Sequence, residues 1–408
     1  MDKEHSNYKW YLLGLVVLTN MLTMAIPSMA LSVLSKEISV DLHLSLAQVG
    51  VVWGIGALPG ILTGTLAGAI GDRVGPKRIL VAASLLMGLL GAARGLAPGF
   101  ASLTAITFVG GALSPFININ GVKTCGLWFP PRQLGLATGI FSMGMALGFL
   151  TGSLVSATLL SPLLGGWRNV LILYGALGAS MSIPWFFTRA APQAHPSSGG
   201  AAHISIRQAV GHVAHLRNIW LLGLTLFGVG GCVNGLLGYL PLYLRNIGWK
   251  PLLADGALSS FHIISMIFVL PIALWSDRLR SRKRLLFLAA ASITIGTGML
   301  SIIDGVMVWA FVLMAGFVRD GFMAIYTTMV IETEGVGPVY AGTASGVGMA
   351  ISGISTVAAP PLGNSLAAIS PGAPFAFWAG LAAFGMFCLS LTRSAARPEG
   401  EVVLEAQV

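Results

Sequence analysis

An arginine and an aspartate, Arg319 and Asp320, stand side by side in the middle of the apolar stretch 306–331. At the usual helical rise, Arg319 lies about 20 Å from either end, too deep to reach water easily. A charge at the centre of a bilayer costs about 2.5–3.5 kcal/mol, so its presence needs a reason. Because a guanidinium presents a planar fork to oxyanions, we expect Arg319 to bind an anionic substrate, with Asp320 orienting it or carrying a coupling proton. The alternative is a buried ion pair that only fastens this helix to a neighbour.

A histidine, His262, lies near the middle of a second apolar stretch, 252–275. Its charge changes near neutral pH, which suits a proton shuttle; the alternative is a neutral histidine that hydrogen-bonds to a neighbouring helix. Other apolar stretches contain polar side chains able to hydrogen-bond a small ligand, although each alone also fits a contact between helices. The candidates of this kind are Asn20, Asn118, Asn234 and Tyr326.

The composition indicates that these residues belong to a membrane protein. Of the 408 residues, 55% are hydrophobic and 9% are charged, whereas soluble domains carry about 25% charged residues. A soluble protein of this size cannot hide so much apolar surface, so lipid must be the solvent for most of it. The three cysteines fall in or at the ends of apolar stretches and indicate neither a disulfide framework nor a metal site.

Twelve apolar stretches are long enough to span a bilayer, which takes about 20 residues of helix. They lack the short alternating pattern of barrel strands, so the sequence predicts an all-α membrane protein. We expect an N-terminal six-helix bundle at 1–190, a cytoplasmic linker at 191–216, and a C-terminal six-helix bundle with a short cytoplasmic tail at 217–408. The predicted spans are 9–34, 46–71, 78–97, 100–124, 133–160, 168–188, 217–243, 252–275, 285–303, 306–331, 340–368 and 373–392.

Lysine and arginine predict the orientation of the spans. With the N-terminus inside, the inner loops and tails hold 16 basic residues, and the outer loops hold four, among them Arg245. Both termini are therefore expected in the cytoplasm, with the chain in the cell membrane (the inner membrane of a bacterium). This distribution accounts for the net charge of +9 without a nucleic-acid partner. Two further basic residues near span ends, Arg94 and Lys123, are expected to extend to the membrane interface.

A charged loop joins the second and third predicted spans and recurs, in a weaker form, 205 residues later. The first copy runs from Gly68 to Arg78, and the second begins at Ser276. The repeat, the twelve spans and their six-plus-six division resemble the major facilitator superfamily, whose signature is G-x-x-x-D-[RK]-x-G-x-[RK]-[RK]. Every fixed position is matched, by Gly68, Asp72, Arg73, Gly75, Lys77 and Arg78. In the second copy Asp277 and Arg278 preserve the charges, but Ala273 and Arg280 replace the glycines.

The resemblance implies two pseudo-symmetric bundles that rock around a central site, so that access alternates between the two sides of the membrane. In the family, the loop aspartate and its basic neighbours form a cytoplasmic latch for the outward-facing state; for the basic residues, the alternative is an anchor to anionic lipid. The family also lines its central cavity with helices one, four, seven and ten. In this chain those helices contain Asn20, Asn118, Asn234 and Arg319.

We therefore expect a monomeric secondary transporter of a small organic anion, such as a carboxylate, coupled to a proton. The alternative is an exporter of a neutral or amphipathic compound, in which Arg319 and Asp320 are structural; multidrug export is disfavoured because helix five lacks a Gly-Pro pair and helix four lacks an initial arginine. No nucleophile motif or phosphate loop indicates an enzyme, and no pattern indicates a cofactor or metal. The linker histidines His203, His212 and His215 are expected on a solvated amphipathic helix; the alternative is a metal site.

Overall fold

The structure is a computed structural model that describes residues 3–189, 206–278 and 282–392. The regular elements within these ranges are helices. Those before the linker are α1 Lys3–Asn20, α2 Ile26–Val33, α3 Ser35–Asp41, α4 Leu46–Gly54, α5 Ala57–Val74, α6 Pro76–Gly95, α7 Phe100–Trp128, α8 Pro131–Val155, α9 Ser161–Leu164, α10 Trp167–Ser180 and α11 Ser182–Phe187. The linker helix and those after it are α12 Ile206–Ala214, α13 Arg217–Asn246, α14 Pro251–Arg278, α15 Arg282–Met299, α16 Met307–Gly316, α17 Arg319–Ile331, α18 Gly337–Ser365 and α19 Ala373–Ser390.

The predicted all-α membrane fold is confirmed, although the count of twelve spans is not. Ten helical segments among the described residues are long and apolar enough to cross a bilayer; the long helices α15 and α18 fall outside that set. Several predicted spans consist of consecutive helices rather than one. A π-helical turn, Met21–Ala25, joins α1 to α2, for example, and two residues separate α4 from α5.

The helices before and after the linker pack into two bundles. In the first bundle α6 packs against α7 and α10, and in the second α13 packs against α18 and α19. Some of these helices approach backbone to backbone: a Cβ added to Gly88 would lie 2.1 Å from the backbone nitrogen of Ala179. Glycine is therefore required where α6 crosses α10. The predicted domain limits stay predictions, because residues 190–205 lie outside the described part of the chain.

The two bundles meet mainly where α4 packs against α18 and where α8 packs against α14. We use the name signature end for the end of the molecule that carries Gly68–Arg78, and opposite end for the other. Hydrogen bonds between the bundles cluster in the half of the molecule toward the opposite end. They join Ser32 Oγ to Leu237 O (2.5 Å), Trp53 Nε1 to Asn234 O (2.9 Å), Ser153 Oγ to Ser259 Oγ (2.8 Å) and Asn364 Nδ2 to Leu46 O (3.0 Å).

A buried ion pair completes the closure of the opposite end. The Arg245 guanidinium lies 2.6 Å from both carboxylate oxygens of Asp255, and the two side chains are 6% and 0% exposed. Arg245 also donates to the carbonyl of Val33 in the first bundle (2.7 Å), and Asp255 accepts from the hydroxyl of Thr158 in the first bundle (2.6 Å). The expectation of Arg245 in an outer loop is therefore wrong: α13 extends past it to Asn246, because the guanidinium finds buried partners.

Candidate functional site

The helix that carries Arg319 and Asp320 is interrupted next to them. Helix α16 ends at Gly316 and α17 begins at Arg319, with Val318 at φ −107° and ψ −2° between them. The predicted continuous helix over 306–331 is therefore two helices, and the charged pair forms the first two positions of the second. The N-terminal end of a helix is partially positive, which stabilises the Asp320 carboxylate at this position.

Ser265 on α14 fixes the orientation of Asp320. Its hydroxyl donates to Oδ2 of Asp320 (2.6 Å) and accepts from the Asp320 backbone N–H (3.2 Å). The other carboxylate oxygen, Oδ1, accepts from Arg319 (2.7 Å). Both oxygens of Asp320 are thus occupied, and the carboxylate in turn holds one edge of the Arg319 guanidinium.

Phe149 on α8 brings the first bundle to this site. The guanidinium carbon of Arg319 lies 5.8 Å from the centroid of the Phe149 ring, which is a cation–π contact. The ring of His262 lies 5.4 Å from the same centroid, with 31° between the planes. His262 is buried, and its Nε2 has no hydrogen-bond partner among the described residues. The structure therefore brings Arg319, Asp320 and His262 together where the bundles meet.

A cavity of about 300 Å³ lies beside Arg319, among α13, α17 and α18. Its walls are mostly apolar and include Phe322, Met323 and Met349, while Asn234 and Ser352 add polar groups. The volume is at the lower end of the range for small-molecule sites. Within the described part of the chain, Asp320 is the one hydrogen-bond partner of the guanidinium. Because a guanidinium has five N–H donors, the remaining ones are available to an anion in this cavity.

Asn234 is a wall of the cavity and also a contact between the bundles. Its side-chain amide donates to the carbonyl of Thr356 on α18 (3.0 Å), which fastens α13 to α18. Its backbone carbonyl accepts from the indole N–H of Trp53 in the first bundle (2.9 Å). This predicted ligand residue thus also joins the two bundles through Trp53, a contact that the sequence did not indicate.

Three predicted ligand residues lie away from the cavity in this structure. Tyr326 is buried against α18, where a Cβ added to Gly348 would lie 2.2 Å from its hydroxyl. Asn20 is buried within the first bundle and donates to the carbonyl of Val16 (3.2 Å). Asn118 is half-buried on α7. Substrate contact by these three residues stays a prediction.

The charged loop at the signature end is bound within its own bundle. Lys123 on α7 donates to Asp72 (2.8 Å) and to the carbonyl of Gly68 (2.6 Å), and Lys77 donates to the carbonyl of Thr188. Gly75 has φ +90°, a conformation that favours glycine. Lys123, which was expected to extend to the membrane interface, reaches this loop at the end of the bundle, and its position relative to the membrane stays a prediction.

The remaining residues of the predicted latch are placed as follows. Arg73 and Arg78 are exposed at the same end. Asp277 and Arg278 end α14, and their side chains lie outside the described part of the structure. In this structure Asp72 therefore pairs within the first bundle, so a latch to the second bundle stays a prediction.

Two site residues were missed by the sequence reasoning. Ser265 lies three positions after His262 and so shares its face of α14, a spacing that could have indicated it. Phe149 lies in a glycine-rich apolar helix, and nothing in its surroundings distinguishes it from other phenylalanines. Its role arises from the packing of α8 against α14.

The chain is similar to known membrane transporters. A family model described as Major Facilitator Superfamily matches residues 13–360. The probable sulfoacetate transporter SauU of Cupriavidus necator is 26% identical over 229 residues, which are 53% of this chain and 53% of that protein. The hexuronate transporter of Bacillus subtilis is 31% identical over 170 residues, 40% of this chain and 39% of that protein. The chain thus matches about half or less of the length of these relatives.

A solved structure resembles the fold over nearly the whole chain. It is the crystal structure of a bacterial homolog of the human lysosomal transporter Spinster in an inward-facing, unoccupied conformation. The TM-score is 0.77 at 16% sequence identity, and the match covers 96% of this chain and 95% of the other. At this identity the likeness concerns the fold alone.

Proposed function

The chain belongs to the major facilitator superfamily, and on that premise we propose that it is a secondary transporter, not an enzyme, whose substrate is a small organic anion. One observation carries the proposal: Arg319 lines the cavity of about 300 Å³ with Asp320 as its hydrogen-bond partner among the described residues. The free edge of the guanidinium receives the anionic group, such as a carboxylate, in a bidentate manner. Asp320 and Phe149 hold the guanidinium in position for that contact.

The rest of the cavity favours a substrate with a short apolar body. Phe322, Met323 and Met349 contact that body, and Asn234 and Ser352 offer hydrogen bonds to polar substituents. The names of the relatives support this substrate class, since sulfoacetate and a hexuronate are both organic anions. Neither name assigns the particular compound that this chain carries.

Transport proceeds by alternating access in this proposal. Because contacts between the bundles close the opposite end, the cavity opens toward the signature end in this proposal. We assign the signature end to the cytoplasm from the excess of basic residues. Both termini then lie in the cytoplasm, and the monomer in the cell membrane is the transporting unit. When the signature end closes, Asp72 leaves Lys123 and binds the second bundle. The present contact of Asp72 is the one expected for the state that is open at the signature end.

We assign proton coupling to the Asp320 carboxylate, which lies beside the Arg319 guanidinium. Asp320 accepts from Arg319 and Ser265, so a proton on its carboxylate would weaken the hold on Arg319 and alter anion binding. His262 contacts Phe149 and is the second candidate carrier. Either route links the substrate to a proton without a further cofactor.

The alternative substrate class has one observation in its favour. The contact between Arg319 and Asp320 (2.7 Å) is the structural ion pair that a carrier of neutral or amphipathic compounds would use to neutralise both charges. The two classes differ in whether the guanidinium also contacts the substrate.

Ligand-dependent thermal stability of the purified protein tests the two classes. A panel of small carboxylates and a panel of uncharged amphipathic compounds are each compared on the wild type, on Arg319→Lys and on Arg319→Ala. We expect a carboxylate to stabilise the wild type, the lysine variant to bind it more weakly, and the alanine variant to lose about tenfold or more in affinity. The control is Lys250→Gln, which removes an exposed charge at the opposite end. Unchanged affinity for the carboxylate in Arg319→Ala would contradict the proposal.

Reconstituted proteoliposomes test the proton. With a carboxylate that binds, we expect substrate entry to alkalinise the external medium in the wild type. Substrate entry with no accompanying pH change would contradict proton coupling while leaving the anion assignment intact.

A further inference from the structure

Another arginine, Arg94, is half-buried and extends into the first bundle. It occupies the last turn of α6, yet a Cβ added to Gly110 of α7 would lie 2.9 Å from its guanidinium. Gly110 is the eleventh residue of α7, so it lies about 15 Å from the start of that helix. The expectation that Arg94 extends to the membrane interface is therefore wrong: its charge lies deep between helices of one bundle.

Arg94 has no counter-charge among the described residues. Its Nε is buried and makes no hydrogen bond there. The three carboxylates described in the first bundle have other partners: Glu37 accepts from Ser161 (2.5 Å), Asp41 pairs with Arg168 (2.9 Å) and Asp72 pairs with Lys123 (2.8 Å). Arg94 therefore differs from Arg245 and Arg319, each of which binds an aspartate. A cation in a medium of low dielectric constant is costly without an opposite charge, so an anion from outside the described part of the chain would lower this cost.

Arg94 forms part of the wall of a small cavity of about 10 Å³. Thr23, from the π-helical turn of the first span, and Tyr174 on α10 line it. The rest of its wall is rich in glycine, which leaves space where side chains would otherwise project: Gly88, Gly91, Gly175 and Gly178. A cavity of this size holds about one water-sized particle. A carboxylate with an organic body does not fit, so this site and the cavity at Arg319 select different ligands.

We propose that Arg94 binds a small monovalent inorganic anion, such as chloride, as a fixed counter-ion inside the first bundle. The anion lies between α6, α10 and the turn of the first span, where it accepts from the guanidinium and cancels its charge. A water molecule would satisfy the N–H donors but leave the charge uncompensated. The site shares no lining residue with the cavity at Arg319, so it stands or falls independently of the proposed transport function.

Thermal unfolding of the purified protein in different sodium salts tests this site. Chloride and bromide are compared with gluconate, which is too large for the cavity, at constant ionic strength. We expect the halides to raise the Tm of the wild type by several degrees in a saturable manner, because a ligand that binds only the folded state stabilises it. Arg94→Gln removes the charge and should lose this halide dependence. Two controls should keep it: Arg132→Gln, which removes an exposed cation of the same bundle, and Arg319→Gln, in which gluconate cannot act as a substrate.

Bromide also locates the site directly in crystals of the wild type. An anomalous peak beside Arg94, together with loss of the halide effect in Arg94→Gln, is the result that the proposal requires. Equal Tm values of Arg319→Gln in halide and gluconate would overturn it, as would a halide effect that persists in Arg94→Gln. If Arg94→Gln does not fold, the bromide map of the wild type decides: a map without a peak at this position overturns the proposal.

Discussion

Arg245 and Asp255, ten residues apart in the sequence, form a buried ion pair whose remaining contacts reach into the other bundle. Arg245 of the second bundle donates to the carbonyl of Val33, the last residue of α2. In return, Lys36 of the first bundle donates to the carbonyl of Arg245, in the last turn of α13 (2.9 Å). Each bundle thus supplies a cation to the negative end of a helix in its partner, which makes the closed arrangement electrostatically complementary.

Removing one partner of this pair should be costly, and removing both should not. We predict that Asp255→Ala destabilises the protein by about 3–5 kcal/mol, because it leaves the Arg245 guanidinium buried without a counter-charge. The double variant Arg245→Met/Asp255→Leu should recover most of the loss. Thermal unfolding in detergent measures both effects. As a control, Asp41→Asn removes the charge from the exposed pair with Arg168 but keeps an oxygen for the indole N–H of Trp167, and it should cost at most about 1 kcal/mol. Equal losses in the single and double Arg245–Asp255 variants would contradict this prediction.

A methyl group added at Gly54 should separate the two bundles at the opposite end. A Cβ there would lie 2.7 Å from the carbonyl oxygen of Thr356 in the second bundle, so the two helices must separate. We predict that Gly54→Ala lengthens the distance between spin labels at Val40 and Leu252, which are exposed on opposite bundles at this end.

The matched control for that substitution is Gly64→Ala, because no atom lies within 4 Å of a Cβ added there. It should leave the label distance as in the wild type. Equal distance distributions in Gly54→Ala and Gly64→Ala would show that the close backbone contact between α4 and α18 does not hold the opposite end closed.

Freeing Asp72 should favour closure of the signature end. Lys123→Gln removes the partner that holds Asp72 in the first bundle, which makes its carboxylate available to the second. Exposed pairs contribute up to about 1 kcal/mol, so we predict up to a fivefold increase in the closed population. Spin labels at Leu136 and Ile331, both exposed, should report more of the shorter distance. Arg132→Gln, which removes an exposed charge nearby, serves as control. A shift toward longer distances in Lys123→Gln would show that Asp72 is not a latch.

Phe149 should support substrate binding from the first bundle. Phe149→Leu removes the cation–π contact that positions Arg319. Such contacts contribute about 0.5–2 kcal/mol, so we predict that the affinity for a carboxylate substrate falls by roughly two- to thirty-fold. Binding is measured by the ligand-dependent Tm. Phe108→Leu, at an exposed position of α7, is the control and should bind as the wild type does; an equal change in both variants would assign the effect to general packing.

Much of the fold was predictable because lipid imposes a simple requirement on sequence. A helix has to cross about 30 Å of hydrocarbon, and the runs that do so are visible as apolar stretches. The ends of the helices were less predictable. Hydropathy predicts Arg245 in an outer loop, but a buried helix can include a charged residue when an oppositely charged partner such as Asp255 is available. That partner is known only from the packing.

The site was predictable only in part, for a related reason. The depth of Arg319 and Asp320 follows from their position in an apolar run. The interruption of the helix at Phe317 and Val318 does not, since no proline marks it. Phe149 comes to the site because α8 packs against α14. A single sequence contains no measure of which helices touch, so such neighbours are found only in three dimensions.

Asn234 links the cavity to the hydrogen bonds that join the two bundles. The same residue lines the cavity and accepts the indole N–H of Trp53 from the other bundle. A ligand that binds Asn234 differently with and without that indole must shift the balance between the two conformations. By reciprocity, a change at Trp53 that shifts this balance would alter the affinity of such a ligand. The apparent dissociation constant of such a ligand therefore combines its affinity for the binding-competent conformation with the fraction of molecules in which the opposite end is closed.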